Sequence, residues 1–241
     1  MRLAVSEITK SYKDKIVLKG ITFEMNKGQT VGILGPNGAG KTTLFYIIAG
    51  LLKCDEGKIT LADAEINHKS ISERTSLGLA YLPQESSIFK GLTVKENILS
   101  ALQQNRQISK SELNSELNLL LEEFKLLEFS NTLGIKLSGG ERRRTEIART
   151  LALKPQFILL DEPFAGIDPI AVSDLKQTID QLNQKDIGVL ISDHNVRDTM
   201  NICSKVLVVN QGKIIADGEP SKIAQDSLVK EVYLGQDFQT N

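Results

Sequence analysis

Tryptophan is absent from this 241-residue chain, and cysteine, methionine and proline number only two, three and six. Cys54 and Cys203 lie far apart and fit no metal-ligand spacing, so they read as ordinary buried thiols rather than a disulfide or a metal pair. No charge sign dominates: 29 Lys and Arg against 30 Asp and Glu give a formal net charge of −1. That excludes the overall basic field on which nucleic-acid binding usually depends. The longest apolar run, Phe45 to Leu52, is far short of the ~20 residues that cross a bilayer. The first residues hold neither a long apolar core nor a small-residue cleavage pattern, so no secretory signal is expected, and the expected location is the cytoplasm. Repeats and low-complexity stretches are missing too. What remains is 41% hydrophobic, enough for one large domain or a domain with a subdomain, globular and soluble.

Within that ordinary composition, Gly35, Pro36, Asn37, Gly38, Ala39, Gly40, Lys41 and Thr42 match the phosphate-binding pattern G-x-x-x-x-G-K-[ST] in full. Gln29 to Leu34 before it suits a buried strand, and Thr43 to Leu52 after it suits a buried helix. The glycines let the backbone turn tightly and bring successive N–H groups against a β-phosphate, at the positive end of the helix. Lys41 can reach β- and γ-phosphates, and the Thr42 hydroxyl is placed to ligate Mg²⁺.

Residues 1 to 34 read as strands: Leu3, Val5 and Ile8, then Ile16 to Leu18, then Ile21, Phe23 and Met25, with polar breaks at Lys13–Asp14 and Asn26 to Gly28. A small antiparallel sheet beside the nucleotide core accounts for them. Tyr12, in the first break, is either a ring that stacks on a purine or a surface tyrosine at a turn. Gly57 to Leu61 and Ala64 to Ile66 suggest another hairpin, and Leu77 to Leu82 a core strand ending at Pro83–Gln84. Thr93 and Glu96 form a capping-box pattern that opens an amphipathic helix through Ile98, Leu99 and Leu102. Leu113, Leu117, Leu120, Leu121 and Phe124 mark a second helix, so a helical insertion interrupts an α/β protein.

Leu137, Ser138, Gly139, Gly140 and Glu141 come next; Ser138 and its glycines stand before a helix expected over Glu141–Leu153, a second anion-binding helix N-terminus. Phe157 to Asp161 is an apolar strand ending in adjacent carboxylates, Asp161 and Glu162, which strand alternation aims differently. Asp161 would hold Mg²⁺ through water, and Glu162 would face an attacking water. Val189 to Ser192 forms one more buried strand leading to Asp193 and His194, at the strand end where open α/β sheets bind ligands. Val206 to Val209, Gly212 to Ile215 and Asp217–Gly218 suggest a last hairpin, and the tail through Val232 to Phe238 shows no periodicity.

These motifs, in this order over nearly the whole chain, resemble the nucleotide-binding subunits of ABC transporters. The resemblance implies a P-loop NTPase core (1–84 and 155–220) with an antiparallel β subdomain, an inserted α-helical subdomain (85–154) and a C-terminal tail (221–241). By resemblance, Gly35 to Thr43 is the Walker A loop, with Thr43 as a further nucleotide contact, and Tyr12 is the adenine-stacking aromatic. Gln84 corresponds to the Q-loop glutamine that senses Mg²⁺ and nucleotide, and Leu137 to Glu141 to the signature motif. Asp161 and Glu162 are similar to the Walker B pair, Gly166, Ile167 and Asp168 to the D-loop, and His194 to the switch histidine. The D-loop wording departs from the commoner Ser-Ala-Leu-Asp, so only Asp168 is carried over. Lys41, Gln84, Glu162 and His194 would be catalytic, and Thr42, Gln84 and Asp161 would attend the metal.

The family implies ATP and Mg²⁺ as cofactors, and a homodimer in which each ATP lies between one copy's Walker A loop and the other's Ser138 to Gly140. It also implies two integral membrane subunits as partners, docked near Glu85 to Leu92 with Phe89 as an apolar anchor and Lys90 on its rim. Placement is then peripheral on the cytoplasmic face of the inner membrane, without direct lipid insertion or nucleic acid. Tyr81 to Glu85, Ser87 to Phe89, Gly140 to Arg144, Pro163 to Pro169, Ser192 to Val196 and Val232 to Phe238 resemble the lipopolysaccharide-export branch most. The ATPases of branched-chain amino acid importers and the single-cassette iron–sulfur assembly ATPase stand as alternatives.

Overall fold

The computed structural model describes residues 1–165, 169–235 and 238, apart from the side chains of 169–171. Two compact units emerge, Met1–Tyr81 with Gln156–Asn241 and Leu82–Pro155.

The first unit holds both sheets. Strands β1 (Arg2–Tyr12), β2 (Lys15–Asn26), β4 (Glu56–Leu61) and β5 (Ala64–Glu65) form a four-stranded antiparallel sheet in the order β2-β1-β4-β5. Ile16 to Leu18 and Ile21 to Met25, expected as separate runs, belong to one strand. The chain turns only at Lys13–Asp14, and the irregularity around Gly20 is a bulge opposite Glu7. Thr22 stabilises the bulge: its hydroxyl accepts the Glu7 N–H at 2.9 Å and donates to Glu7 Oε1 at 2.8 Å. Leu3, Val5, Ile8, Leu18, Ile21 and Met25 consequently all face the core.

The second sheet has six strands. Strands β3 (Thr30–Leu34), β6 (Leu79–Leu82), β7 (Phe157–Asp161), β8 (Gly188–Ser192), β9 (Lys205–Asn210) and β10 (Lys213–Gly218) run in the order β10-β9-β3-β8-β7-β6. Every residue of β3, β7 and β8 is buried, as a parallel sheet covered on both faces requires. β6 begins at Leu79, two residues after the expected Leu77, because Leu77 closes a short helix α2 (Ile71–Ser76) and lies exposed. Helices α2, α6 (Pro169–Gln184) and α7 (Val196–Ile202) lie outside the motif-based expectations.

The helix after the phosphate loop, α1 (Lys41–Ala49), starts and ends earlier than Thr43 to Leu52. Gly50 adopts a left-handed conformation at φ 85° and terminates it. The last carbonyls at that buried end meet Arg74 of α2, whose guanidinium donates to Ile47 O at 2.7 Å and Ile48 O at 2.6 Å. The same side chain donates to Lys69 O and Asn67 O and is only 2% exposed. A cation at a helix C-terminus complements the helix dipole, so Arg74 both caps and orients α1.

In the second unit, α3 (Val94–Leu102) opens on the expected capping box of Thr93 and Glu96, and α4 (Leu113–Glu123) buries Leu117, Leu120 and Leu121. α5 (Gly139–Leu151) starts at Gly139 rather than Glu141. Ser138 is its N-cap in a box closed by Glu141, so the two glycines form the first helical turn instead of preceding it.

Arg74→Met should leave Ile48 O without its side-chain donor and Ile47 O with only the Gly50 N–H at 3.2 Å, and destabilise the protein by about 3–5 kcal/mol. Urea unfolding measures this; a loss below about 1 kcal/mol would mean that the cap is dispensable.

Candidate nucleotide site

Parallel register places the site. Ile33 of β3 and Asp161 of β7 both pair with Ser192 of β8, so the three chains leave the sheet level with one another at its carboxyl end. Gly35, Glu162 and Asp193 are thereby brought to one rim, where ligands of open α/β sheets bind.

Two glycines of the loop have no substitute. A Cβ on Gly35 would stand 2.0 Å from the Val209 carbonyl oxygen, and one on Gly40, at φ 108°, 2.8 Å from Leu18. Gly40 caps α1 without a side-chain acceptor, leaving the first-turn N–H groups to a ligand. Lys41 is buried, and its ammonium donates back to Gly35 O at 2.6 Å and Pro36 O at 3.1 Å. Burial lowers its pKa, and the charge of Glu162 partly restores it. Asn37, Gly38 and Thr42 are exposed on the outer side of the loop, Pro36 and Thr43 are half-buried, and Ala39 is buried.

Opposite the lysine stand the carboxylates. Asp161 is buried, and its Oδ2 accepts a hydrogen bond from the Tyr81 hydroxyl at 3.1 Å. Burial pushes the Asp161 carboxyl up, the Tyr81 bond opposes this, and the charges of Glu162 and Asp193 add to it. Glu162 points elsewhere, but strand alternation is not the cause. It lies just past β7 with φ 41°, a left-handed conformation unusual outside glycine, and its own N–H donates to Ser192 O at 2.7 Å. The turn sends its carboxylate to His194, with Oε1 3.0 Å from Nε2. Asp193, which sequence reasoning used only as a neighbour of His194, is a buried brace. It accepts the Phe164 N–H at 2.9 Å and the Asn195 N–H at 2.7 Å, and burial raises its pKa.

The first unit also holds Tyr12 and Tyr233. Tyr12 ends β1 with its ring 47% exposed and the Lys10 ammonium 5.8 Å from the ring centroid. Tyr233, in the tail that periodicity could not read, meets the Gly35 backbone N–H through its hydroxyl, and burial raises its pKa.

The remaining predicted residues belong to the second unit. Gln84 is exposed on a bend beyond β6. Leu137 is buried, whereas Ser138 and Gly139 are exposed, and a Cβ on Gly139 would meet nothing within 4 Å. Phe89 is 52% exposed, with the Arg149 guanidinium 5.0 Å from its centroid, and Lys90 beside it is exposed. The buried side chain of Asn97 fixes that segment by accepting Phe89 N–H at 2.8 Å and donating to Phe89 O and Thr93 O. Glu146 of α5 holds Ser86 and Ser87 at 2.7 and 2.8 Å. Gly166, Ile167 and Asp168 lie outside the described residues.

A buried ammonium in a glycine loop, free helix N–H groups, a buried carboxylate and a carboxylate–imidazole pair at one sheet rim suit a nucleoside triphosphate. The comparisons agree with that chemistry. The family model described as ABC transporter matches residues 18–165. The chain is 47% identical over 236 residues to the lipopolysaccharide export system ATP-binding protein LptB of Haemophilus influenzae, covering 98% of each. Its fold matches the ADP conformation of MJ1267, an ATP-binding cassette of an ABC transporter, with TM-score 0.86, 30% identity and 98% and 100% coverage. It also matches the dimeric post-hydrolysis ATP-binding cassette MJ0796, bound to ADP and phosphate, with TM-score 0.77, 25% identity and 90% and 98% coverage. With the family model spanning most of the chain and a relative of this identity aligned end to end, the chain belongs to the ABC transporter family, as one of its ATP-binding cassettes.

Proposed function

We propose that this chain is the ATP-hydrolysing subunit of a transporter that extracts lipopolysaccharide from the inner membrane. The Glu162–His194 pair at 3.0 Å, on the same sheet rim as the buried Lys41, carries the hydrolytic part of the reading. End-to-end likeness to LptB supports the cargo.

Phosphoryl transfer of this kind is largely dissociative, so the protein's task is positioning and charge neutralisation. The first-turn N–H groups of α1 bind the phosphates, and Lys41 transfers its hydrogen bonds from the loop carbonyls to them. Glu162 orients or deprotonates the attacking water. His194 keeps that carboxylate in place and contacts the γ-phosphate. The donor set of the first unit fits Mg²⁺: Thr42 offers a hydroxyl and Asp161 a buried carboxylate. Among the described residues no cluster of three or more His, Cys, Asp or Glu could hold a metal alone, in keeping with an ion that takes few protein ligands plus substrate phosphates. Mg²⁺ held there supplies charge neutralisation at the phosphates.

Two copies associate head to tail on ATP, with Ser138 to Gly140 of one facing the loop of the other. Tyr12 stacks on the adenine. The open space over Gly139 and the exposed Tyr12 ring support these contacts. Two integral membrane subunits dock through Phe89 and Lys90, which places the chain peripherally on the cytoplasmic face of the inner membrane. Among the described residues no helix is long and apolar enough to cross a membrane.

Glu162→Gln should keep ATP binding, lower steady-state hydrolysis by about 10²-fold or more and trap the dimer on gel filtration with ATP. Near-normal turnover would remove Glu162 from this role. Phe89→Ala should abolish co-purification with the membrane subunits from detergent extracts while the isolated ATPase stays within about twofold of wild type. Retained assembly would return Phe89 to plain packing with Arg149.

The raised Asp161 pKa gives a pH test. An acid whose folded pKa exceeds its unfolded value binds protons better when folded, so its ionisation weakens the fold as pH rises from the ordinary aspartate range through the raised value. Asp161→Asn should therefore melt higher than wild type without nucleotide at pH 7, by on the order of 2–4 °C. The difference should shrink near pH 4; a gap independent of pH between 4 and 7 would contradict the assignment.

A further inference from the structure

Tyr81 carries a hydroxyl that the packing of its ring does not require and that lies in reach of the Tyr46 side chain as well as of Asp161. Its ring lies edge-on to Phe45, with centroids 6.2 Å apart at 60°, and to Tyr46, 6.5 Å apart at 83°, both on α1. Phe45 is fully buried, so the ring is fixed from that side, and phenylalanine would fill the same space. The hydroxyl reaches across from β6 to the end of the neighbouring strand β7, where it donates to Asp161 Oδ2 at 3.1 Å.

We propose that Tyr81 is a positioning residue for ATP hydrolysis, its hydroxyl holding the Asp161 carboxylate in the rotamer from which it serves Mg²⁺. The inference rests on the reading of Asp161 as a metal-holding group. A buried carboxylate needs a donor to fix its orientation, and the kind of donor matters. A lysine or arginine would neutralise the charge that attracts the cation. A tyrosine hydroxyl occupies one lone pair, leaves the charge in place and, being an acid that stays protonated at neutral pH, keeps donating. The same ring braces the phosphate-loop helix through Phe45 and Tyr46, so one side chain relates the metal carboxylate to the helix that begins at Lys41 and Thr42.

The test compares wild type, Tyr81→Phe and Asp161→Asn by Mn²⁺ titration, followed by electron paramagnetic resonance with a non-hydrolysable ATP analogue present. Analogue affinity in EDTA and thermal melting serve as controls. Tyr81→Phe should weaken Mn²⁺ binding about tenfold, leave metal-free analogue affinity unchanged, lower melting by no more than the few degrees that one lost hydrogen bond costs, and recover ATPase activity as Mg²⁺ is raised. Mn²⁺ affinity within about twofold of wild type would overturn the proposal. So would a parallel fall in metal-free analogue affinity, because Tyr81 would then act only through α1. Asp161→Asn with undiminished Mn²⁺ affinity would remove the metal reading of Asp161 and the proposal with it. Loss in Asp161→Asn but not in Tyr81→Phe would remove Tyr81 alone.

Discussion

Everything at the nucleotide end depends on the pairing that sets Ile33, Ser192 and Asp161 level across three buried parallel strands. A shift of one residue in either pairing would turn the strand over and bury its functional side chain in the sheet. The strands themselves are mostly valine, isoleucine and leucine, with Gly32 and Gly188 where a Cβ would collide with Thr199 or Phe157, and the chemistry stands where each run stops. Because the register is locked by side chains buried on both faces, the rim inherits the rigidity of the core, which a site built mainly on positioning needs.

On that rim the charges are arranged for a visitor that brings both signs. Asp161 and Asp193 are buried carboxylates held above their ordinary pKa, each partly compensated by hydrogen bonds from Tyr81 or from backbone N–H groups. Lys41, depressed by burial, turns inward on the loop carbonyls. Each group is in an electrostatically costly setting that a metal–phosphate complex relieves, so stability is traded for readiness to bind.

Much of this was legible in the sequence because the informative segments are local. The phosphate loop needs no distant partner to be recognised, the Thr93 box is closed by a residue one turn away, and β3, β7 and β8 announce themselves as apolar runs. What escaped depends on residues distant in the chain or on backbone conformation. Tyr81 and Asp161 meet across strands 80 positions apart. The divergence of Asp161 and Glu162 comes from a left-handed residue, which sequence does not encode outside glycine and asparagine. Helix α2 buries an arginine in place of an apolar stripe and so has no periodicity to find. By contrast, Leu175, Ile179 and Leu182 recur at helical spacing in α6, a signal that was present but attached to no chemical motif.

The cap on α1 has a consequence for how the cassette responds to its ligand. Arg74 pairs with carbonyl groups rather than with an acid, and neither partner titrates in the range where proteins stay folded. Buried as it is, the contact is also sheltered from dissolved salt. The far end of the phosphate-loop helix is thus held by a contact that changing pH and ionic strength leave alone, while its glycine-rich front end carries no such clamp.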